Sequence, residues 1–130
     1  MKLTSYQEEK MTLFHNKGFS LIELIIVIAI LGILAGIGIP QFSKYRRAAH
    51  NAAALADLKN AVLAQEAYHA LNEVYAGSLD RLILTHDWVV SSDVDLTITG
   101  NQNSYAISAR HASGDKTYMY TGPGGKITSE

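Results

Sequence analysis

A single carboxylate, Glu23, interrupts an apolar run at residues 19–39 that carries no other charge. A charged group inside the hydrocarbon core of a membrane is costly unless it is neutralised or paired. The structural alternative is a side chain close enough to the end of a helix to reach the headgroups, where the cost is small. We interpret Glu23 as a functional residue.

The other residue types that support chemistry form no recognisable site. The chain of 130 residues has no cysteine, which excludes disulfides, thiol nucleophiles and sulfur-ligated metals. Asp93 and Asp95 are too few carboxylates to predict a calcium site. The glycine-rich stretch 122–125 opens no helix, so we interpret it as a turn. We predict no enzyme activity, no cofactor and no metal. The histidines lack metal-ligand spacing and are interpreted as surface or core residues: His15, His50, His69, His86 and His111.

The charge balance gives no sign of a nucleic-acid partner. The net charge is −1 with neutral histidines, whereas a nucleic-acid-binding domain usually presents a basic field. There is also no acidic tract of the kind that forms disordered tails. We therefore predict no direct contact with nucleic acid.

The apolar run is long enough to cross a membrane. It spans about 21 residues, and a helix needs ~20 to cross the hydrocarbon core. A secretory signal has a shorter apolar region, followed by a small-residue cleavage site. Here the run ends at Ile39-Pro40 with no such site, so we expect the segment to be retained. Counting flanking cations alone favours the C-terminal side as cytoplasmic or is indecisive: Lys10 and Lys17 against Lys44, Arg46 and Arg47.

The string KGFSLIE at residues 17–23 resembles the processing site of type IV prepilins and related pseudopilins. The resemblance implies that a membrane-embedded prepilin peptidase cuts between Gly18 and Phe19 on the cytoplasmic side. It also implies N-methylation of Phe19, whose new terminal amine would pair with Glu23 and set the register of an incoming subunit. This topology overrides the count of flanking cations.

The same resemblance divides the chain into four parts. Residues 1–18 would be a leader peptide, with translation starting at Met1 or Met11. Residues 19–40 would be a transmembrane and filament-core helix, residues 41–76 its amphipathic continuation, and residues 77–130 a head with a β-sheet. The precursor would lie in the inner membrane with its N-terminus in the cytoplasm, and the pilus platform and motor machinery would assemble it into a surface filament.

Four residues near the end of the apolar run weaken its helix. Glycine costs roughly 1 kcal/mol against alanine in a helix interior, and proline roughly 3. Small residues also allow close helix packing in membranes. The family resemblance implies that this stretch locally unwinds as subunits enter the filament. The residues are Gly32, Gly36, Gly38 and Pro40.

The region after Pro40 predicts a continuing helix to about Tyr75, with one face toward a sheet. At ~1.5 Å per residue, a helix from Ser20 to Tyr75 would be on the order of 80 Å long. A head this small cannot bury such a helix, so lipid or other copies of the chain must cover its first half. The predicted inner face is Leu58, Ala61, Ala64, Tyr68, Leu71 and Tyr75, and the predicted outer face is Asp57, Lys59, Asn60, Glu66 and Asn72.

Alternating apolar and polar residues predict an antiparallel sheet in the C-terminal half. The expected strands are 94–99, 105–111 and 117–121, with a short fourth at 126–128. Ser78 is expected to cap a short helix at 79–84. The predicted fold class is therefore α+β, a long N-terminal α-helix whose second half packs on a small antiparallel β-sheet of three to four strands.

These observations predict a structural subunit that polymerises through its N-terminal helix into a type IV pilus. One alternative is a pseudopilin of type II secretion in a periplasmic filament, although the Asp-Pro-Trp-Gly string of major pseudopilins is missing. Another is a monomeric binding module with an uncleaved anchor. The aromatic side chains along the helix are attributed to packing rather than to charge transport: Phe19, Phe42, Tyr45 and Tyr68.

Overall fold

The computed structural model describes residues 18–130, apart from the side chain at position 86. Most of the expected leader and both candidate start sites lie outside these residues. Two helices precede an antiparallel sheet, which confirms the α+β prediction. The elements are α1 Leu21–Asn72, α2 Leu79–His86, β1 Val94–Gly100, β2 Tyr105–His111, β3 Thr117–Gly122 and β4 Thr128–Ser129.

The chain forms two compact units, Met1–Ile37 and Gly38–Glu130. In the described part of the first unit, the chain is helical from Leu21 and every side chain is exposed. Among the described residues, α1 is the one helix long and apolar enough to cross a membrane by length and composition. The second unit, called the head below, contains the rest of α1, together with α2 and the sheet.

The sheet of the head follows chain order, β1-β2-β3-β4, with each neighbouring pair antiparallel. Ile107 of β2 pairs with Ile98 of β1 on one side and with Tyr120 of β3 on the other. Burial alternates along β2, as expected for a strand with one face toward a core. The fourth strand is displaced from the predicted 126–128 to Thr128–Ser129.

The core of the head lies between α1 and the inner faces of β1 and β2. Leu58 and Ala61 of α1 are fully buried, as is Leu82 of α2. Alanine dominates the buried apolar face of α1, at Ala54, Ala61 and Ala64. The buried apolar residues are Ala54, Leu58, Ala61, Ala64, Tyr75, Ala76, Leu82, Leu96, Ile98, Tyr105, Ile107 and Ala109.

Three details of the predicted helix face are wrong. Helix α1 ends at Asn72, and Glu73 adopts a left-handed conformation with φ 58°. Tyr75 is buried from the loop that follows, not from the helix. Leu71 is 74% exposed because it lies on the side of the last turn away from the core. Asp57, predicted on the outer face, is 3% exposed.

Candidate assembly site

The N-terminal end of α1 is closed by a reciprocal pair of hydrogen bonds between Ser20 and Glu23. The backbone N–H of Ser20 donates to Glu23 Oε2 at 2.8 Å, and the backbone N–H of Glu23 donates to Ser20 Oγ at 3.2 Å. The Ser20 carbonyl accepts the first helical bond, from the N–H of Leu24. Ser20 is therefore the N-cap and Glu23 the third helical residue of a capping box.

The capping box gives the Glu23 carboxylate a structural role within its own chain. It satisfies a backbone N–H that a helix terminus otherwise leaves without a partner, and its negative charge lies at the positive end of the helix dipole. The Ser-x-x-Glu spacing is a known signal for this motif. We did not predict this motif, because we interpreted Glu23 only in terms of membrane cost and processing.

The two residues that flank the expected cleavage site are freely accessible. Gly18 lies before the helix, and a Cβ at this position would meet no atom within 4 Å. Phe19 is 87% exposed and immediately precedes the capping box. Among residues 18–130, no packing contact therefore requires glycine at position 18.

Three further glycines lie in α1, and no packing contact with residues 18–130 explains them. A Cβ at Gly32, Gly36 or Gly38 would meet no atom within 4 Å. Helix α1 continues through all three and through Pro40. Pro40 has no N–H, so the carbonyl four residues earlier, that of Gly36, loses its usual helical donor. The helix is thus intact, but the hydrogen-bond ladder that holds it is weakened here.

The large apolar side chains at 19–39 form a continuous exposed surface. Their exposed fractions range from 46% at Ile25 to 87% at Phe19. A helix that is apolar all round is normally buried in a membrane or in a protein interior. This apolar segment, residues 19–39, therefore requires a cover that this chain does not supply within its described residues.

In the head, three polar residues of α1 each hold one connection of the fold. Gln65 is fully buried; its Nε2 donates to the Ala76 carbonyl and its Oε1 accepts from the Ala76 N–H, both at 2.8 Å. Asp57 accepts from the N–H of Ser91 at 2.8 Å and from its hydroxyl at 3.2 Å. The bonds of Gln65 hold the loop that follows α1, and the bonds of Asp57 hold the loop that follows α2.

The third residue, Asn51, fixes the turn between β2 and β3. Its Oδ1 accepts from the N–H groups of Asp115 and Lys116, at 3.1 and 3.2 Å. Its Nδ2 donates to Asp115 Oδ1 at 2.6 Å. This hydrogen bond is the main reason that the pKa of Asp115 is held below its usual value.

An aromatic cluster closes one side of the core. The ring of Tyr75 stacks on His69 with centroids 4.2 Å apart and lies 4.6 Å from the ring of Tyr105. The Tyr105 hydroxyl donates to Glu66 Oε1 at 2.7 Å. Burial, followed by this hydrogen bond to Glu66, raises the pKa of Tyr105. Glu66, predicted as an outer residue, is exposed but serves as the acceptor of this cluster.

The remaining candidate groups show no metal or catalytic arrangement. The rings of His50 and His111 have centroids 4.2 Å apart and are tilted by 30°, and Asp93 and Asp95 are exposed. Over residues 18–130 no group of three or more His, Cys, Asp or Glu side chains is placed to hold a metal ion. His15 lies outside the described residues.

Known proteins with similar sequences fall into one group. The profile described as the prokaryotic N-terminal methylation motif matches residues 13–39. The type IV wide pilus major component PilA4 of Thermus thermophilus is 37% identical over 106 residues, 81% of each chain. The type IV major pilin protein PilA of Myxococcus xanthus is 34% identical over 100 residues, 77% of this chain and 40% of that protein. The type IV major fimbrial protein FimA of Dichelobacter nodosus is 69% identical over 30 residues, 23% of this chain and 19% of that protein.

These likenesses differ in extent. The likeness to FimA is high but short, and the chain spans only about two fifths of the length of the Myxococcus protein. The likeness to PilA4 covers about four fifths of both chains, too much to be confined to residues 19–39. Together with the methylation motif, this extent shows that the chain belongs to the type IV pilin family.

Proposed function

We propose that the chain is cut between Gly18 and Phe19 and that the processed chain polymerises through residues 19–40 into a type IV pilus. Membership in the pilin family makes a filament assembled from subunits the general function. The cut, the methylation of Phe19 and the assembly roles of Phe19 and Glu23 are the specific parts of the proposal.

The observation that carries the proposal is the wholly exposed apolar segment. Burial of one large apolar side chain contributes ~1.5–3 kcal/mol, and the head already has a closed core without using these side chains. A bilayer covers the apolar segment of the precursor, and the same segments of neighbouring copies cover it in the filament. The open glycines at 32, 36 and 38 permit close approach between such helices.

The capping box supports a role for Glu23 in assembly. Before the cut, its carboxylate accepts the Ser20 N–H within one chain. After the cut, Phe19 is the N-terminal residue and carries a positive amine. The Glu23 carboxylate then pairs with the amine of its own chain or with that of a neighbouring subunit. An ion pair is stronger in a low-dielectric filament core than in water, so the carboxylate then aligns an incoming subunit.

The proposal also assigns the surroundings of the precursor. It lies in the inner membrane as a single span with the leader in the cytoplasm, where a prepilin peptidase removes residues 1–18. An assembly platform with its motor then moves the processed chain into a surface pilus. The helix passes from lipid into contact with other subunits during this transfer. It is weakened in the part that contains Gly32, Gly36, Gly38 and Pro40.

The pseudopilin alternative is not favoured, because the two relatives that match 81% and 77% of this chain carry pilin names. The monomeric anchored module would keep its leader and would not form fibres. Both alternatives differ from the proposal in measurable ways.

Intact-mass analysis of sheared surface fibres tests the proposal. We expect the mass of residues 19–130 plus one methyl group. A Gly18→Val variant should remain at precursor size in the membrane fraction, with Gly38→Val as a matched control that is still cut. Fibres that contain the uncut chain, or a mature-sized product from Gly18→Val, would contradict the cleavage site.

A further inference from the structure

A small basic cavity lies beside residues 43–50 of α1, before the part of the helix that is buried under the sheet. Its volume is about 250 Å³, and its lining includes three basic side chains and two serines, with no carboxylate: Ser43, Arg46, Arg47, His50 and Ser113. We call these five residues the basic notch. Its volume is below the roughly 300–1,000 Å³ typical of sites for drug-sized ligands, so it suits a small anionic group.

The helical repeat explains why the notch exists. Ser43, Arg47 and His50 are spaced by four and three residues and continue the face of α1 that is buried further along, at Ala54 and Leu58. That face is apolar under the sheet and becomes basic where the sheet ends. Ser113, in the turn between β2 and β3, closes the notch from the side of the head.

The surrounding charges leave the notch positive. Asp115 is the acidic residue of this turn, and its pKa is lowered mainly by the hydrogen bond from Asn51 and also by the charge of Arg47. Its carboxylate already accepts a hydrogen bond from Asn51, and Lys116 follows it in the chain. Two guanidinium groups are well suited to a phosphate, which they bind with parallel hydrogen bonds.

We propose that the basic notch binds the phosphate of an anionic phospholipid headgroup while the chain is anchored in the membrane. The inference rests on the membrane-anchored precursor of the proposed function. It adds a ligand and a binding site to that function. A bound headgroup holds the head against the bilayer until the subunit is extracted.

The position along α1 supports a lipid as the source of the phosphate. Arg46 lies seven residues beyond Ile39, the last apolar residue of the segment, which is about 10 Å along a helix. Side chains of an α-helix lean toward its N-terminus, here back toward the membrane. The headgroup layer adds ~5–8 Å to the hydrocarbon core on each side. The guanidinium groups of Arg46 and Arg47 therefore reach the level of the phosphates.

Native mass spectrometry of the full-length chain in neutral detergent tests the site. Phosphatidylglycerol, phosphatidylcholine and inorganic phosphate are titrated separately at physiological salt. We expect phosphatidylglycerol to bind at least ~10-fold more tightly than phosphatidylcholine, and inorganic phosphate not to displace it at millimolar concentration, because the membrane-level position favours a lipid-borne phosphate.

Matched variants separate the notch from general attraction to a negative surface. Arg46→Gln and Arg47→Gln should each weaken phosphatidylglycerol binding by about fivefold or more. Lys44→Gln should change it by less than about twofold, because Lys44 is rotated by about 100° from Ser43 around the helix and does not line the notch. Arg47→Lys keeps the charge but should still lose affinity, since the paired geometry is lost.

Several results would overturn the inference. Equal binding of the two lipids, or equal losses for Arg47→Gln and Lys44→Gln, would show that no specific site exists. Displacement by millimolar phosphate would make the notch a site for free anions. Normal lipid binding with reduced fibre yield in the arginine variants would assign the notch to a contact between subunits. The lipid-binding measurements require neither cleavage nor fibres, so their failure leaves the proposed function standing.

Discussion

The glycines of the apolar segment and those of the head have opposite surroundings. In the segment, a Cβ at Gly32 or Gly36 would meet no other atom within 4 Å. In the head, a Cβ at Gly100 would collide with the carbonyl of Ala76, and one at Gly122 with the ring of Tyr105. Gly100 and Gly122 thus permit close contacts within the head, whereas Gly32 and Gly36 permit none among the described residues.

The polar side chains repeat this difference. Glu23, in the segment, is exposed and bonds only within its own first turn. Asn51, Asp57 and Gln65, in the head, are buried and bond to backbone groups up to 65 residues away in sequence. Among the described residues, the head is therefore held by contacts distant in sequence, whereas the segment makes only local ones. This contrast predicts which substitutions affect assembly and which affect folding.

The largest expected effect is the loss of fibres in Glu23→Ala. Without the carboxylate, the terminal amine of Phe19 lacks its partner, and we expect fibre yield to fall by about tenfold or more while cleavage continues. Immunoblots of sheared fibres and of membranes measure both quantities. Ser20→Ala removes the other half of the capping box but keeps the carboxylate, so it should retain most of its fibres. Equal loss in Ser20→Ala would show that Glu23 acts through helix capping alone.

A pair of glycine variants tests the contrast directly. Gly100→Ala should lower the free energy of unfolding of the head by about 3 kcal/mol, because the new methyl group meets backbone atoms that cannot move aside. Gly36→Ala should leave the head unchanged and stabilise the local helix by about 1 kcal/mol. Urea unfolding of the full-length chain in detergent, followed by fluorescence of Trp88, the single tryptophan, measures the head. An unchanged free energy of unfolding of the head in Gly100→Ala would contradict the difference between the glycines of the head and those of the segment.

Removal of the buried amide at Gln65 should have a somewhat smaller effect. Gln65→Leu leaves the N–H and the carbonyl of Ala76 without partners, and we expect a loss of about 2–3 kcal/mol in the same urea assay. The control Asn60→Leu changes an exposed position of the same helix and should stay within about 0.5 kcal/mol. Cleavage between Gly18 and Phe19 should be normal in both variants.

The smallest effect concerns alkaline pH and the aromatic cluster. Burial and the bond to Glu66 raise the pKa of Tyr105 above its ordinary value of 10.0. The folded head therefore holds this proton more tightly than the unfolded chain does, so the contribution is complete below pH 10 and is lost as pH rises further. In Tyr105→Phe, the free energy of unfolding measured with urea should decline less steeply above pH 10. Tyr45 is 70% exposed, so Tyr45→Phe should leave this decline unchanged.

The sequence alone was sufficient for the local features of this protein. The apolar run, the helix and three of the four strands could be predicted because their periodicity is set by neighbouring residues. The capping box was equally readable from Ser20 and Glu23, since both partners lie within one turn. The similarity around Gly18 and Phe19 placed the chain in its family before any tertiary contact was considered.

The tertiary structure decided which polar side chains belong to the core. Asp57 and Gln65 are polar residue types that are typical of an outer helical face. Both are buried, because the loops after α2 and after α1 bring backbone groups of Ser91 and Ala76 to them. Leu71 is exposed and Tyr75 buried because the chain leaves the helix at Asn72 and turns back. Such pairings depend on where the loops return in space, and a helical repeat contains no information about that.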